Sequence, residues 1–114
     1  MKYTQSLKKN IDFINAYKKG KSYANDLLVM YVLCNKKDIN RLGISVSKKV
    51  GNSVVRHRVT RLIRESYRLS ESFFKKGFDI VIIGRPNAKE ASYRDVEKAI
   101  LHLGKLQKIY HSER

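Results

Sequence analysis

The side chains of this sequence best able to do chemistry are cations, and eight of them cluster in one stretch: Arg41, Lys48, Lys49, Arg56, Arg58, Arg61, Arg64 and Arg68. Between Lys48 and Arg68 the only acid is Glu65. The planar guanidinium makes bidentate contacts with phosphate and stacks on bases, so an arginine-rich set suits a polyphosphate better than isolated carboxylates. Winding the segment after Asn52 as a helix to about Leu69, at about 100° per residue, puts Val55, Val59, Leu62 and Ile63 on one face. His57, Arg61, Arg64 and Arg68 then share the opposite side within roughly 60° of arc. Like charges one turn apart destabilise a helix by roughly a few tenths of a kcal/mol per pair, whereas a helix needing only solubility would alternate Glu and Lys. The plain alternative, a solvated helix face, gives no reason for the missing acids. A phosphate backbone does, because it offsets the repulsion.

Catalytic groups do not gather in the same way. His57, His102 and His111 are scattered at spacings no zinc site uses. Asp95 and Glu97 are two apart on a helical segment and point to different sides. Gly51 is not followed by the Gly-Lys-Ser/Thr of a phosphate-cradling loop, and no carboxylate is placed to orient His57 as a base. No catalytic residue and no metal site is expected within the chain. Any reaction it serves would be carried by a partner.

The elements that position the cations follow from pattern. The 114 residues, 42% apolar with a net charge of +15, are read as one domain, 1–114, too apolar for a disordered tail and far more cationic than solubility requires. A polyanion is the expected partner, nucleic acid ahead of a membrane surface. The longest apolar run, Leu27 to Cys34, is too short to span a bilayer, and residues 1–9 lack the apolar core of a signal peptide, so no membrane and a cytoplasmic location are expected. Cys34, the single cysteine, is expected as a buried small hydrophobe.

A short helix over about 10–19 should start at Asn10 as N-cap, place Ile11, Phe13, Ile14 and Tyr17 on its apolar side and end at Gly20. Strands are predicted over Leu27–Cys34, Ile39–Ser47 and Phe78–Gly84, the first two able to pair as a hairpin. In the second, Leu42, Ile44 and Val46 alternate with Arg41, Gly43, Ser45 and Ser47, so one face is core and the other polar and small. The third is apolar on both faces and hence central. Ser92 and Asp95 form a capping box opening a last helix that turns Val96, Ile100, Leu103 and Tyr110 inward. The expected architecture is α+β, an α-β-β-α-β-α sandwich with a small central sheet and helices on one side. The face bearing Gly43, Ser45 and Ser47 would stay open as a shallow groove. Phe13, Tyr17 and Tyr31 would stack unpaired bases if they line it, although aromatics at i,i+4 ordinarily belong to a core.

The run Gly43-Ile44-Ser45-Val46-Ser47-Lys48-Lys49-Val50-Gly51-Asn52, continuing through Val55-Arg56-His57-Arg58 to Arg61-Leu62-Ile63-Arg64-Glu65, closely resembles the protein subunit of bacterial ribonuclease P. Asp12-Phe13, Gly20, Asp79-Ile80-Val81-Ile82-Ile83-Gly84-Arg85-Pro86 and the closing helix extend the likeness over nearly the whole chain. The resemblance implies a left-handed β-α-β crossover in the ribosomal protein S5 domain 2-like fold, against the usual right-handed preference. It implies a protein that binds a catalytic RNA and the 5′ leader of precursor tRNA, promoting removal of the leader, with the reactive centre in the RNA. The arginine helix and the turn before it match the family's RNR element, so Lys48, Lys49, Asn52, Arg56, Arg58, Arg61, Arg64 and Arg68 are the implied catalytic-RNA contacts. Phe13, Tyr17, Val29 and Tyr31 are the implied leader contacts, which reverses the core assignment of the aromatics. No cofactor is expected on the protein alone, magnesium is expected for the RNA–protein holoenzyme, and a monomer in a 1:1 complex with the RNA is the expected assembly. His57 stands where the family usually has Asn, and Thr60 where a basic residue is common; neither is carried into the site. The alternative is a ribosomal or RNA-chaperone-type basic RNA-binding protein.

Overall fold

In the computed structural model, residues 1–111 are described. They form β1 (Thr4–Ser6), α1 (Asn10–Lys19), β2 (Lys21–Ala24), β3 (Leu28–Cys34), β4 (Asn40–Val46), α2 (Ser53–Ser70), β5 (Phe78–Gly84) and α3 (Tyr93–Leu106). One five-stranded sheet has the order β1-β4-β5-β3-β2. β4 is parallel to β1 and β5, while β3 is antiparallel to β5 and β2.

The three apolar strands lie where periodicity puts them, but β3 and β4 do not form the expected hairpin. β5 sits between them, paired with both. Its apolar residues alternate to both sides, so it gains most from the central place. The connection from β3 to β4 rides over the start of β5: Asn35 N–H donates to the Gly77 carbonyl at 2.9 Å and Gly77 N–H to Ile39 at 3.2 Å. Gly77 holds φ +102°, with the Lys37 carbonyl 3.2 Å from where a Cβ would stand, a conformation that disfavours side chains. β1 and β2 were not expected. Thr-Gln-Ser and Lys-Ser-Tyr-Ala carry no apolar alternation, and these edge strands exist only through their pairing with β4 and β3.

Side-chain parity then sorts the molecule into two cores. Met30, Val32, Ile80 and Ile82 face α2 and α3, packing with Val59, Ile63, Ile100 and Leu103. Val81, with Leu7, Ala16, Phe13, Tyr31 and Ile83, faces α1 on the other side. The α+β class stands, but only α2 and α3 share a side. The element order is β-α-β-β-β-α-β-α, and β4-α2-β5 is the crossover between neighbouring parallel strands.

Local details differ in a few places. Asn10 is the first helical residue of α1, after Lys9 as N-cap without a side-chain cap bond. Gly20 does end α1, for lack of space: a Cβ would stand 2.5 Å from the Ala16 carbonyl oxygen and 3.0 Å from that of Val32. Ile11, Ile14 and Tyr17 are exposed, leaving Ala16 the buried residue of α1. Cys34 is exposed, at the strand end opposite Phe78, where the apolar run leaves the core. Tyr110 lies beyond α3 and bridges to Phe74. The Ser92–Asp95 capping box forms in full.

β1 is tied to the end of α2 through the buried Glu71. Its carboxylate accepts from the backbone N–H of Lys2 at 2.9 Å and of Tyr3 at 3.1 Å, and its carbonyl from the Tyr3 hydroxyl at 2.6 Å. Burial pushes the Glu71 carboxyl up, but the Thr4 hydroxyl, those two N–H groups and the N-terminal amine outweigh it and hold it below the ordinary 4.5. A depressed folded value stabilises above the ordinary value and is lost as pH falls through the folded one. Glu71→Gln should therefore lower stability by about 1–2 kcal/mol at neutral pH. In urea unfolding the gap to wild type should narrow as pH drops below 4.5; an equal gap in acid would show that the charge of Glu71 contributes nothing.

Candidate nucleic-acid interface

The turn into α2 is built to present charge. Val50 is buried and anchors it, and its N–H donates to Ser47 at 3.1 Å. A Cβ on Gly51 would stand 2.8 Å from the Val55 side chain, so this position must be glycine for the turn to close on the helix. The Asn52 side chain caps α2 by accepting from Val55 N–H at 3.1 Å, and Arg56 donates to the Gly51 carbonyl at 3.0 Å. Lys48 and Lys49 are left exposed. The first turn of α2 contains no acid, so the positive end of the helix dipole and two exposed lysines share one turn, an arrangement that favours an anion.

Along α2 the expected cations divide by what they touch. Lys48, Lys49, Arg61 and Arg64 make no side-chain hydrogen bond or ion pair among the described residues, and all are exposed. Arg68 pairs with Glu65 at 2.6 Å across exposed surface and holds that carboxyl below its ordinary value; such pairs contribute little and exchange readily for another anion. Arg58 faces inward along the surface, donating to the carbonyls of Lys89 at 3.0 Å and Ala91 at 2.8 Å. Arg56 holds the turn. Arg41 is engaged by Asp79 at 2.6 Å and Asp12 at 3.3 Å, and hydrogen bonding to Asp79 raises its guanidinium pKa further above the ordinary value. His57 is exposed, and the Thr60 hydroxyl donates to the Arg56 carbonyl at 2.9 Å.

The second part of the site is the sheet face under α1. Strand register arranges its side chains in three rows: Arg41–Asp79–Leu33, Gly43–Val81–Tyr31 and Ser45–Ile83–Val29. α1 covers the middle row. The Phe13 ring occupies the place of a Cβ on Gly43, 2.6 Å from it, and Tyr17 meets Tyr31 edge-on with ring centroids 5.1 Å apart. Beside α1 a groove of about 380 Å³ runs between Asn10, Phe13, Ile14 and Tyr17 on the helix and Ile44 and Ser45 on β4. Every residue of the third row is half-buried, and Ser45 of that row lines the groove. Phe13, Tyr17 and Tyr31 are thus brought together, and Val29 lies on the same sheet face in the neighbouring row. Ile14 lines the groove and Ile83 is the register partner of Ser45; neither was expected there. The period-2 pattern of β5 places Ile83 on the face of Val81, but its apolar neighbours read as core.

Arg64 connects the two parts, since it lines a cavity of about 150 Å³ with Phe13, Gly43 and Leu42. The arrangement offers cations for phosphates along one helix and an apolar, aromatic-walled groove for unstacked bases beside it. That combination is what single-stranded nucleic acid requires.

Comparison with known proteins agrees. Residues 1–108 match the family model described as Ribonuclease P. The chain is 59% identical to the ribonuclease P protein component of Lachnoclostridium phytofermentans, over 96% of this chain and 94% of that one. It is 53% identical to that of Alkaliphilus metalliredigens, over 96% and 98%. Among solved structures, the Staphylococcus aureus RNase P protein superposes with a TM-score of 0.84 at 41% identity, covering 93% of this chain and 97% of that one. The Thermotoga maritima RNase P protein gives 0.82 at 33% identity, over 90% and 96%. The chain belongs to the ribonuclease P protein family.

Membership in this family places the chain in an endoribonuclease complex for tRNA 5′ processing, working with the ribonuclease P RNA and precursor tRNA. It sets aside the ribosomal or RNA-chaperone alternative. Among the described residues no helix is long and apolar enough to cross a membrane.

Within this ribonuclease P protein, the geometry separates cations that build the interface from cations that face it. Arg58→Met should cost about 1 kcal/mol of folding stability, through loss of two hydrogen bonds, one of them part-buried, while Arg61→Met should leave stability within about 0.5 kcal/mol of wild type. Thermal melts of the two variants check this, and equal shifts would contradict the division.

Proposed function

We propose that the α2 face and its turn bind the ribonuclease P RNA while the groove beside α1 receives the 5′ leader of precursor tRNA. The observation that carries this is the position of Arg64, which lines one cavity with Phe13 and Gly43. RNA on α2 and a single strand in the groove would lie side by side, so the protein would hold substrate and catalytic RNA in register. Lys48, Lys49, Asn52, Arg61, Arg64 and Arg68 serve the first contact, with Arg56 and Arg58 supporting the surface. Phe13, Tyr17, Val29 and Tyr31 serve the second, joined by Ile14, Ser45 and Ile83.

Bond cleavage on this reading belongs to the RNA. Among the described residues no three His, Cys, Asp or Glu side chains converge as metal ligands. Magnesium is assigned instead to the RNA–protein holoenzyme, where phosphates supply oxygen ligands. One protein per RNA, acting in the cytoplasm with the precursor pool, completes the reading.

Precursor cleavage at low magnesium, with RNA alone, protein alone and both together, tests it. Cleavage at the mature 5′ end only in the mixture is expected, and cleavage by protein alone would overturn the assignment of chemistry. Arg61→Ala with Arg64→Ala should weaken binding to the ribonuclease P RNA and flatten its log–log salt dependence by about two units, near one per phosphate contact. An unchanged slope would remove that face from the interface.

A further inference from the structure

α1 forms one wall of the groove, yet it is weakly anchored. Ala16 is its one buried residue, and Ile11, Ile14 and Tyr17 are 57%, 42% and 39% exposed. Burial alone would leave the helix free to tilt on the sheet. Three contacts oppose this besides Ala16: the Phe13 ring seated on Gly43, the edge-on contact of Tyr17 with Tyr31, and a charge relay at the first turn. In the relay, Arg41 and Asp79 are partners in the β4–β5 register. Arg41 Nε donates to Asp79 Oδ1 at 2.8 Å and Nη2 to Oδ2 at 2.6 Å. Asp79 is nearly buried and also accepts from the Asn35 amide at 3.0 Å. Two nitrogens of the fork are thereby committed, the guanidinium plane is fixed, and Nη1 is left aimed at Asp12 on α1, 3.3 Å away.

We infer that Asp12 and Arg41 are positioning residues for leader recognition: Arg41, locked to Asp79, draws the first turn of α1 onto the sheet and sets the width of the groove between α1 and β4. The inference rests on reading that groove as the leader site. Lysine would not do the same, because one ammonium lacks the planar fork that grips one carboxylate with two nitrogens and directs a third. The relay also explains why an arginine in the cationic strand-turn-helix unit is withdrawn from the unpaired set, and why an acid is kept on the helix that walls the groove.

The sign of one substitution separates this role from simple charge. Removing an acid from an RNA-binding surface strengthens binding by electrostatics alone. In holoenzyme reconstituted with ribonuclease P RNA, Asp12→Ala should instead weaken binding of leader-bearing precursor by about three- to tenfold. Mature tRNA and the ribonuclease P RNA should bind as before or slightly tighter. Arg41 keeps Asp79 in this variant, so the sheet is not left with an uncompensated buried charge. Arg41→Lys, which keeps the charge and loses the fork, should show the same leader-selective loss, and Asp12→Glu should recover part of it. Tyr17→Ala with Tyr31→Ala is the control for the groove itself. If the control loses leader affinity while Asp12→Ala binds precursor as well as or better than wild type, the positioning role is overturned and the groove reading stands. Equal losses on precursor and mature tRNA would reduce Asp12 to general structure and overturn the role as well. A control with no effect on precursor removes the groove reading, and the inference with it.

Discussion

The structure depends on burying both faces of β5. Ile80, Val81 and Ile82 are each fully buried, and because successive side chains point to opposite sides, the strand must be covered twice. Each such side chain contributes about 1.5–3 kcal/mol when removed from water, more than any surface ion pair here can offer. The sheet order follows, with β3 and β4 on the two flanks and α2 and α3 against one face. The opposite face needs only enough cover for Val81, which Ala16 and Phe13 supply with Leu7. A short helix suffices for that task, and its remaining apolar residues stay at the surface beside an uncovered row of the sheet.

The same economy governs charge. A chain with 25 basic and 10 acidic residues could scatter its acids among its cations. Several are instead engaged by the fold itself: Asp79 and Asp12 on Arg41, Glu71 on the N–H groups of β1, Asp95 in the cap of α3. Lys48, Lys49, Arg61 and Arg64 are left without an acidic partner among the described residues, on the surface proposed to meet RNA. Repulsion along α2 is tolerated because its other face buries Val59, Ile63 and Tyr67, the last stacked on Phe74 with ring centroids 5.3 Å apart.

Much of this is legible in the sequence because strong periodicity reports it. The arginine helix, the three apolar strands, the capping box and the alternation along β4 all appear where pattern places them. What pattern cannot carry is anything decided by a partner elsewhere in the chain. β1 and β2 are polar segments that become strands only against β4 and β3. The hairpin expected between β3 and β4 fails because β5, more than thirty residues later in the sequence, competes for both. Cys34 ends an apolar run but lies where the strand leaves the core. The cations of the proposed RNA face were identifiable by type, but not their division of labour: whether an arginine holds a carbonyl, a carboxylate or nothing depends on segments distant in sequence that the fold brings close. Ile83 shows the converse, since an isoleucine in an apolar strand gives no sign that the row it occupies is uncovered.

The exposure of Ile14 and Tyr17 is therefore the counterpart of the uncompensated arginines. In a small protein, a wall of apolar side chains beside a half-buried row of Ser45, Ile83 and Val29 leaves hydrophobic stabilisation unused. So does a cationic helix face without acids, in electrostatic terms. Each is unfavourable alone in water, and each becomes favourable against one half of a nucleotide: bases against the wall, phosphates against the helix. Arg64 stands at the border of the two surfaces. A double helix shows phosphates outward and hides its bases, so it would satisfy α2 and leave the groove bare. Only an RNA partner joined to an unpaired strand satisfies both at once, which is what the proposed pairing of ribonuclease P RNA on α2 with a single-stranded leader in the groove supplies.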